Sequence, residues 1–345
     1  MNIRHWILWL GLAAASAIGL APAAADSFTD DAGRTVELEL PIKRAVIFNR
    51  YAVEFARAIG AIDKVVGVDA STMRDPTYWP QFKEADIVGQ GQTQPNYEAI
   101  VALKPDLVII PRNGVYEEAA KQLEAFDIPV LVVTAWDTLQ HVENVTLFGK
   151  LFDEKEKADA LNAYYTKYMD LLAERLKGVE RNEEVRDLVT VTPGSGWHDM
   201  IEAGGGTNVF GDIDIKKEPS SRGNENSFTV DPEEIIARKP DLVIKLQPGS
   251  YQTIPEAKFA ESWRAIVARE EISGTPAGQA GDVRLINYYL AGGSSKVTGA
   301  LQVAKWLYPD LFTDVDPEAA MKEWIEIYQG LPFQGGMTYQ GTASN

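Results

Sequence analysis

Cationic and aromatic side chains stand where several short apolar runs of the sequence end. Cations at such points could bind an anion by charge-assisted hydrogen bonds, and aromatic rings could stack on a flat ligand. The cations at such points are Arg50, Arg112 and Lys245, and the aromatic residues are Tyr51, Trp197, Tyr288 and Tyr289. Arg222, in the loop SSRGNEN, is a fourth candidate cation. Loop cations also pair readily with carboxylates, of which the chain has 50, and aromatic residues after strands also serve in packing. Both interpretations stay open for each residue.

Metal and catalytic chemistry have little support in the sequence. Only His141 and His198 follow the N-terminal segment, and cysteine is absent, so a site of several imidazoles or thiolates is not expected. Ser195, His198 and Asp199 have the residue types of a catalytic triad but fall within five positions. GSGWHD lacks the third glycine of a dinucleotide fingerprint, and GxxxxGKS/T and HExxH are missing. We expect no enzyme, no resident metal and no cofactor, although Tyr288 and Tyr289 could also ligate ferric iron directly.

The first 25 residues have the order of a secretory signal. Arg4 precedes an apolar run from Trp6 to Ala21, and three alanines stand just before Asp26. A membrane anchor is the alternative, but a span needs about 20 apolar residues and this run is interrupted by Ser16 and Gly19. Because no cysteine is present to carry a lipid, we expect a soluble periplasmic protein that is exported by a cleavable signal and is not a lipoprotein. Plain secretion is the alternative.

Charge and size narrow the function further. The net charge is −17, and loss of Arg4 makes it −18, from 32 basic and 50 acidic residues. Such a surface repels phosphate backbones, so nucleic acid is not an expected partner. A chain of 345 residues with 45% hydrophobic content is long enough for two globular domains.

The pattern of strands and helices predicts two α/β lobes with mostly parallel sheets. Short runs rich in β-branched residues alternate with helical patterns, which is typical of a parallel sheet covered on both faces. The segment from Thr138 to Lys177 has helical spacing and no strand signal, so it predicts one long helix between the lobes. The expected divisions are a signal at 1–25, a lobe at 26–136, a connecting helix at 137–180, a second lobe at 181–333 and a disordered tail at 334–345.

A repeat relates the two lobes. YEAIVALKPDLVII begins at Tyr97 and PEEIIARKPDLVIK at Pro232, with nine identities in 14 positions. In each copy a helix ends before Lys-Pro and a buried strand follows, because a residue before proline avoids the helical conformation. Two similar lobes create a cleft, and ligands bind beyond the carboxyl ends of parallel strands. The cations and aromatic residues named above, together with His198, are therefore the predicted ligand-binding residues.

Glu98 and Glu233 occupy the same place in the two repeats, each in the first turn of its helix. An acidic residue there complements the helix dipole. Two symmetric acids on the outer shoulders of two lobes would also suit a two-fold partner with basic sockets. Local chemistry does not separate these interpretations.

Six motifs in order resemble the periplasmic substrate-binding proteins of ABC importers for iron–siderophore complexes, haem and cobalamin. They are DDAGRTVELELPIKRAVI, YEAIVALKPDLVII, the helix from Asp153 to Lys177, GGGTNVF, PEEIIARKPDLVIK and LYPDLFTDVDP. The resemblance implies two lobes joined by one long helix, a cleft between them and little hinge motion. It also implies that Glu98 and Glu233 dock onto an inner-membrane permease dimer. We expect the binding protein to be a monomer.

The cations in the predicted cleft suit an anionic ferric chelate or an oxyanion. LYPDLFTDVDP resembles the iron-complex branch of the family, and this resemblance implies an anionic iron chelate of the ferric siderophore type as the cargo. The resemblance leaves three alternatives. These are an oxyanion such as molybdate or tungstate, a haem or corrinoid, and a sensory role in which the protein reports to a membrane receptor.

Overall fold

The computed structural model describes residues 25–112, 114–179, 182–186, 189–190, 193, 195–213 and 228–341. The expected signal segment and Arg222 therefore lie outside the described residues, apart from Ala25. Within the described part, no helix has the length and apolar character needed to cross a membrane.

The described part of lobe one contains six strands and three α-helices. From the third strand onwards, strands and helices alternate as the sequence predicts, whereas the first two strands lie in a stretch for which the sequence predicts no strand. The elements of lobe one are β1 (Asp26–Thr29), β2 (Thr35–Leu38), β3 (Ala45–Ile47), α1 (Arg50–Ala58), β4 (Val65–Val68), α2 (Tyr97–Leu103), β5 (Leu107–Ile110), α3 (Tyr116–Glu124) and β6 (Val130–Val132). The first two strands form an antiparallel hairpin, and the others form a parallel sheet in the order β4-β3-β5-β6. Every residue of β3, β5 and β6 is buried, as expected for a parallel sheet covered on both faces.

The connecting segment is two helices, which corrects the prediction of a single helix from Thr138 to Lys177. The two are α4 (His141–Leu151) and α5 (Lys155–Arg175). The chain reverses at Asp153, whose φ of 55° lies in the left-handed region, and the helices pack side by side. Gly149 permits the close approach, because a Cβ there would lie 2.5 Å from the Cβ of Ala158. The 21 residues of α5 span about 32 Å, so α5 alone is the long connecting helix.

Lobe two repeats the sheet of lobe one and adds an edge strand. Its elements are β7 (Asn182–Arg186), β8 (Val189–Thr190), α6 (Gly196–Ala203), β9 (Gly206–Asn208), β10 (Phe228–Thr229), α7 (Pro232–Arg238), β11 (Leu242–Gln247), α8 (Glu256–Val267), α9 (Glu270–Ser273), α10 (Pro276–Ala280), β12 (Val283–Asn287), α11 (Tyr288–Ala291), α12 (Lys296–Leu307), α13 (Pro317–Glu323) and β13 (Thr338–Gln340). The parallel order β9-β7-β11-β12 matches β4-β3-β5-β6, with the two KPDLVI strands β5 and β11 in equivalent places.

The C-terminal segment is ordered as far as it is described, which corrects the prediction of a disordered tail from residue 334. Strand β13 pairs antiparallel with β12, and Tyr339 stacks on Phe259 at 5.7 Å between ring centroids. Residues 342–345 lie outside the described part. The tail QGGMTYQGTASN therefore contributes an edge strand to lobe two.

The two copies of KPDLVI have the same backbone conformation at their start. Lys104 and Lys239 each end a helix with positive φ, 48° and 51°, directly before proline. In lobe one the carboxylate of Asp106 accepts hydrogen bonds from the N–H groups of Lys43 and Arg44, at 2.8 and 2.9 Å. This Asp thereby ties the start of the buried strand to its neighbour β3.

Candidate functional site

Two strand-to-helix turns face each other across the lobes and form the base of the candidate site. Strand β3 runs into α1 through Asn49, whose side-chain oxygen accepts from the N–H groups of Tyr51 and Ala52. Strand β12 runs into α11 in the same way, with the Asn287 side chain accepting from the N–H groups of Tyr289 and Leu290. An asparagine N-cap placed immediately after a strand fixes the next two side chains at the end of the sheet.

Four aromatic residues from both lobes meet at this place, and we call them the aromatic wall: Tyr51, Trp136, Trp197 and Tyr288. The hydroxyl oxygens of Tyr51 and Tyr288 are 3.3 Å apart across the cleft. The rings of Trp197 and Tyr288 lie 5.4 Å apart with a 30° tilt, and those of Tyr51 and Trp136 lie 6.2 Å apart edge to face. Tyr288 is 40% exposed, so the wall is open to solvent on one side. Trp136 is the member that sequence reasoning missed.

Arg50 lies behind the aromatic wall, in the contact between the lobes. It is 9% exposed, its Nη2 donates to the backbone carbonyl of Tyr289 at 3.1 Å, and its guanidinium lies 3.9 Å from the centre of the Tyr289 ring. Its second terminal nitrogen, Nη1, is 4.0 Å from the carboxylate of Glu54. Of the predicted ligand-binding residues, Arg50 and Tyr289 therefore lie beneath the wall and support it.

Glu54 is the buried anion of this contact. Its carboxylate accepts from the Tyr78 hydroxyl at 3.2 Å and from the N–H of Ser294, in the opposite lobe, at 3.2 Å. Burial raises the pKa of Glu54, and the charges of Arg50 and Arg57 offset part of that effect. The carboxylate is thus held by one lobe and hydrogen-bonded by both.

A further hydrogen bond between the lobes lies elsewhere in the same contact. Asp75, in lobe one, accepts from the backbone N–H of Tyr251, in lobe two, at 2.6 Å, and the rings of Tyr78 and Tyr251 lie 5.2 Å apart. The largest hydrophobic cluster among the described residues also contains residues of both lobes, among them Phe55 and Trp324. The contact between the lobes is therefore both apolar and polar.

Lys296 is a buried cation that sequence reasoning missed. It is the first residue of α12 and is 2% exposed, and its ammonium donates to the backbone carbonyl of Trp136 at 3.0 Å. The ammonium also lies 5.2 Å from the Tyr51 ring centre and 5.4 Å from that of Trp197. The buried ammonium of Lys296 therefore lies next to two rings of the aromatic wall.

The remaining predicted cations are placed differently. Arg112 is half-buried just after β5, where its N–H donates to the hydroxyl of Thr134 at 3.3 Å. Its positive charge partly opposes the effect of burial, which raises the pKa of Asp31. Lys245 lies within β11, on a half-buried stretch near the carboxyl end. Arg222 lies outside the described residues.

His198 and its neighbours form a capped helix start. The Ser195 hydroxyl accepts from the N–H of His198 at 3.2 Å, which is an N-cap interaction, and the His198 ring lies 3.3 Å from the amide of Asn208. Burial lowers the pKa of His198, while burial and the nearby Asp137 raise the pKa of Asp199 to about 6. The Ser195 oxygen is thereby engaged in capping.

The other histidine is structural. His141 stacks on Tyr165 with ring centroids 3.7 Å apart, and burial lowers its pKa to about 3. Within the described residues, no three histidine or acidic side chains come together as a group able to hold a metal ion.

Glu98 and Glu233 are exposed in the first turns of α2 and α7. The helix starts are capped by Asn96, which accepts from Ala99, and by Asp231, which accepts from Glu233. The capping bonds are therefore made by the neighbouring Asn96 and Asp231, and the side chains of Glu98 and Glu233 lie exposed beside them.

Comparison with known proteins gives consistent results. The chain is 24% identical over 291 residues to the uncharacterised ABC transporter substrate-binding lipoprotein YvrC of Bacillus subtilis, covering 83% of this chain and 86% of that one. It is 29% identical over 206 residues to the vitamin B12-binding protein of Salmonella typhimurium, covering 58% and 71%. The fold matches that of the molybdate-bound periplasmic binding protein MolA of Haemophilus influenzae, with a TM-score of 0.72, 20% identity and 89% and 99% coverage.

The family model for periplasmic binding proteins spans most of both lobes. It matches residues 46–289, from the first strand of the lobe-one sheet to the second tyrosine of the lobe-two turn. The duplicated sheets, the single long helix α5 and the facing strand ends agree with the resemblance found in the motifs. This chain belongs to the periplasmic binding protein family.

Proposed function

We propose that this protein captures an anionic iron chelate of the ferric siderophore type in the periplasm and delivers it to an inner-membrane ABC permease. The observation that carries the proposal is the aromatic wall, which is built from both lobes over a buried ammonium. Aromatic faces suit the planar aryl groups of a chelate, and a cation suits its negative charge. The protein binds and releases its cargo without a chemical step.

We infer the partner from the exposed first turns of α2 and α7, one in each lobe. Glu98 and Glu233 stand exposed at equivalent positions, which suits a permease dimer that presents the same basic socket twice. Since one monomer supplies both acids, the binding protein acts as a monomer.

Binding is tested by titrating purified protein with ferric siderophores, haem, cobalamin, molybdate and tungstate while tryptophan fluorescence is recorded. We expect saturable quenching by an anionic ferric chelate, because Trp136 and Trp197 line the cleft. Trp197→Phe should remove much of the quenching, whereas Trp306→Phe, a change within the apolar cluster of lobe two, should leave it. Absence of a response to every ferric chelate would count decisively against the iron proposal.

An oxyanion is the second candidate ligand. Its support is the likeness in fold to MolA, which was solved with molybdate. Saturation by molybdate or tungstate, with no response to ferric chelates, would select it. Saturation by cobalamin or haem would select the corrinoid or haem alternative. A sensory role predicts that deletion of the gene abolishes a ligand response while leaving uptake of the chelate unchanged.

We also propose that the mature protein is released into the periplasm without a lipid. The support is the complete absence of cysteine, although the relative YvrC is described as a lipoprotein. Mass spectrometry of the periplasmic fraction should find a mature N-terminus at Asp26. Recovery of the protein only from membranes in detergent would contradict this.

A further inference from the structure

Lys296 lies at an unusual junction of the two lobes. Its amine, at the start of α12 in lobe two, reaches the Trp136 carbonyl of lobe one. The path requires glycine at position 196, because a Cβ there would lie 2.1 Å from the Trp136 oxygen and 2.6 Å from Lys296 Nζ. The backbone of α6 thus leaves just enough space for the lysine amine beneath the aromatic wall.

The charge of Lys296 is poorly compensated in this place. An ammonium has three N–H donors, and the described structure provides the Trp136 carbonyl as an acceptor for one of them. Among the described residues, no carboxylate lies within 4.0 Å of Nζ. The charged and titratable groups that face it at longer range are Asp199 of α6, Asp137 after β6, Arg50 and Glu54 of α1, and His141 of α4. A buried cation without a close anion is costly unless something else stabilises it.

The surroundings of Lys296 act on its proton affinity in opposite directions. Burial lowers the pKa of Lys296 to about 7, the negative charge of Asp199 raises it in part, and Arg50 adds to the lowering. At neutral pH the amine is therefore divided between its neutral and charged forms. Any anion that approaches will shift this balance towards the charged form.

We propose that Lys296 is the residue that senses the negative charge of the ligand, receiving an anionic group that enters between Tyr51 and Trp197. The inference rests on the proposed function, in that it takes the aromatic wall as the ligand site. The ligand's anion supplies the acceptor and the counter-charge that the ammonium lacks. Binding is then coupled to protonation, since the neutral amine takes one proton from the solvent to become the ammonium that faces the anion.

Calorimetry measures this coupling directly. Iron(III) tris-catecholate is titrated into the protein near neutral pH in two buffers of different ionisation enthalpy, so that the difference in heat gives the protons taken up. Wild-type protein should take up a substantial fraction of one proton per chelate bound. Lys296→Met should take up none and bind at least about tenfold more weakly, as expected for loss of a charge-assisted hydrogen bond.

Two further variants separate charge from folding. Lys305→Met is the matched control, because Lys305 lies on the same helix and also donates to a backbone carbonyl, that of Val315 within lobe two. It should keep both affinity and proton uptake. Lys296→Gln is neutral but retains a donor for the Trp136 carbonyl, so it should fold as the wild type does and yet take up no proton. Unchanged proton uptake in Lys296→Gln would overturn the proposal.

A ligand-free measurement distinguishes failure of this inference from failure of the proposed function. Tryptophan fluorescence followed from acidic to alkaline pH should show a transition near pH 7 in the wild type and in Lys305→Met, but not in Lys296→Gln. If no chelate binds but this transition depends on Lys296, the proposed cargo is wrong and the cleft still contains the titrating lysine. A transition that persists in Lys296→Gln would overturn the assignment of the titrating group, whatever binds.

Discussion

The two lobes share a sheet order but differ at the edges where they meet. Lobe one ends β3 in a helix that presents charged side chains, Arg50 and Glu54, to the contact. Lobe two ends β12 in a short helix and a turn that present mainly backbone groups, the carbonyl of Tyr289 and the N–H of Ser294. The charged side chains of lobe one are therefore hydrogen-bonded by main-chain groups of lobe two.

The outer shoulders show the opposite relation. Glu98 and Glu233 stand in first turns of equivalent helices, and both helices end at a left-handed lysine before proline. The lobes are thus alike where a symmetric partner would contact both, and unlike where a single asymmetric ligand would lie between them. The following four experiments test or sharpen this difference, in order of decreasing expected effect.

The largest effect is expected from the two shoulder acids. Glu98→Arg combined with Glu233→Arg should abolish chelate uptake and leave chelate affinity unchanged, because like charges then face the proposed basic sockets. Uptake of radioactive iron by cells and fluorescence titration of the purified variant measure the two quantities. The control is Glu117→Arg with Glu261→Arg, two exposed acids elsewhere on the lobes, which should transport normally. Normal uptake by the shoulder variant would reduce both acids to helix-dipole residues.

The buried ion pair should show the next largest effect. Glu54→Ala leaves Arg50 buried without its counter-charge, so we expect the free energy of unfolding to fall by about 3–5 kcal/mol. Urea denaturation measures this loss. The matched control is Asp159→Ala, since Lys155 and Asp159 have the same i,i+4 spacing but are 81% and 56% exposed. That change should cost less than about 1 kcal/mol. Equal losses in the two variants would show that the contact between the lobes contributes no special stability.

Two glycines with the same backbone conformation test the other side of the contact. Gly293 has a φ of 74°, and a Cβ there would lie 2.2 Å from the Tyr51 ring, whereas Gly178 has a φ of 75° and open space around it. Alanine at either position adds the left-handed backbone cost of about 1–2 kcal/mol. Gly293→Ala should cost about 1–3 kcal/mol more through overpacking against lobe one. Thermal unfolding compares the variants, and equal stabilities would mean that the lobes separate to admit the methyl group.

Most of the fold could be predicted because short stretches of the sequence indicate its strands and helices. Runs such as Leu107–Ile110 are apolar throughout and bounded by proline, and strands of this kind were confirmed in position. The break at Asp153 was missed, since no proline between Thr138 and Lys177 marks the end of a helix. Strand β13 was missed because its order depends on contacts with Phe259 and β12, far away in the chain.

The site could be predicted only in part, because the side chains that form it are brought together by contacts between residues far apart in the sequence. The rule of strand ends led to Tyr51, Trp197 and Tyr288, which the structure brings together from three separate segments. It did not distinguish these from Arg50, whose burial depends on contact with Tyr289 of the other lobe, 239 positions later in the chain. Lys296 begins an apolar helix and looks like an ordinary charged end, yet its partner Trp136 is 160 residues away. Contact between the lobes decides which cations are exposed, and no local pattern encodes it.

The smallest effect concerns the same lysine and gives the sign of its contribution to stability. Burial lowers the pKa of Lys296 to about 7 in the folded protein, from 10.5 in the unfolded chain. Between these values the unfolded chain binds more protons, so the Lys296 contribution to the free energy of unfolding rises with pH, by at most about 1.4 kcal/mol per pH unit. Urea denaturation of the wild type and of Lys296→Met between pH 7 and 8 should therefore show a difference in stability that changes in favour of the wild type by no more than about 1.4 kcal/mol. Lys305→Met should run parallel to the wild type over this range. If the curves of Lys296→Met and the wild type were parallel, the Lys296 amine would reach solvent in the folded wild type. The two lobes would then be more loosely joined than the buried contact with Trp136 indicates.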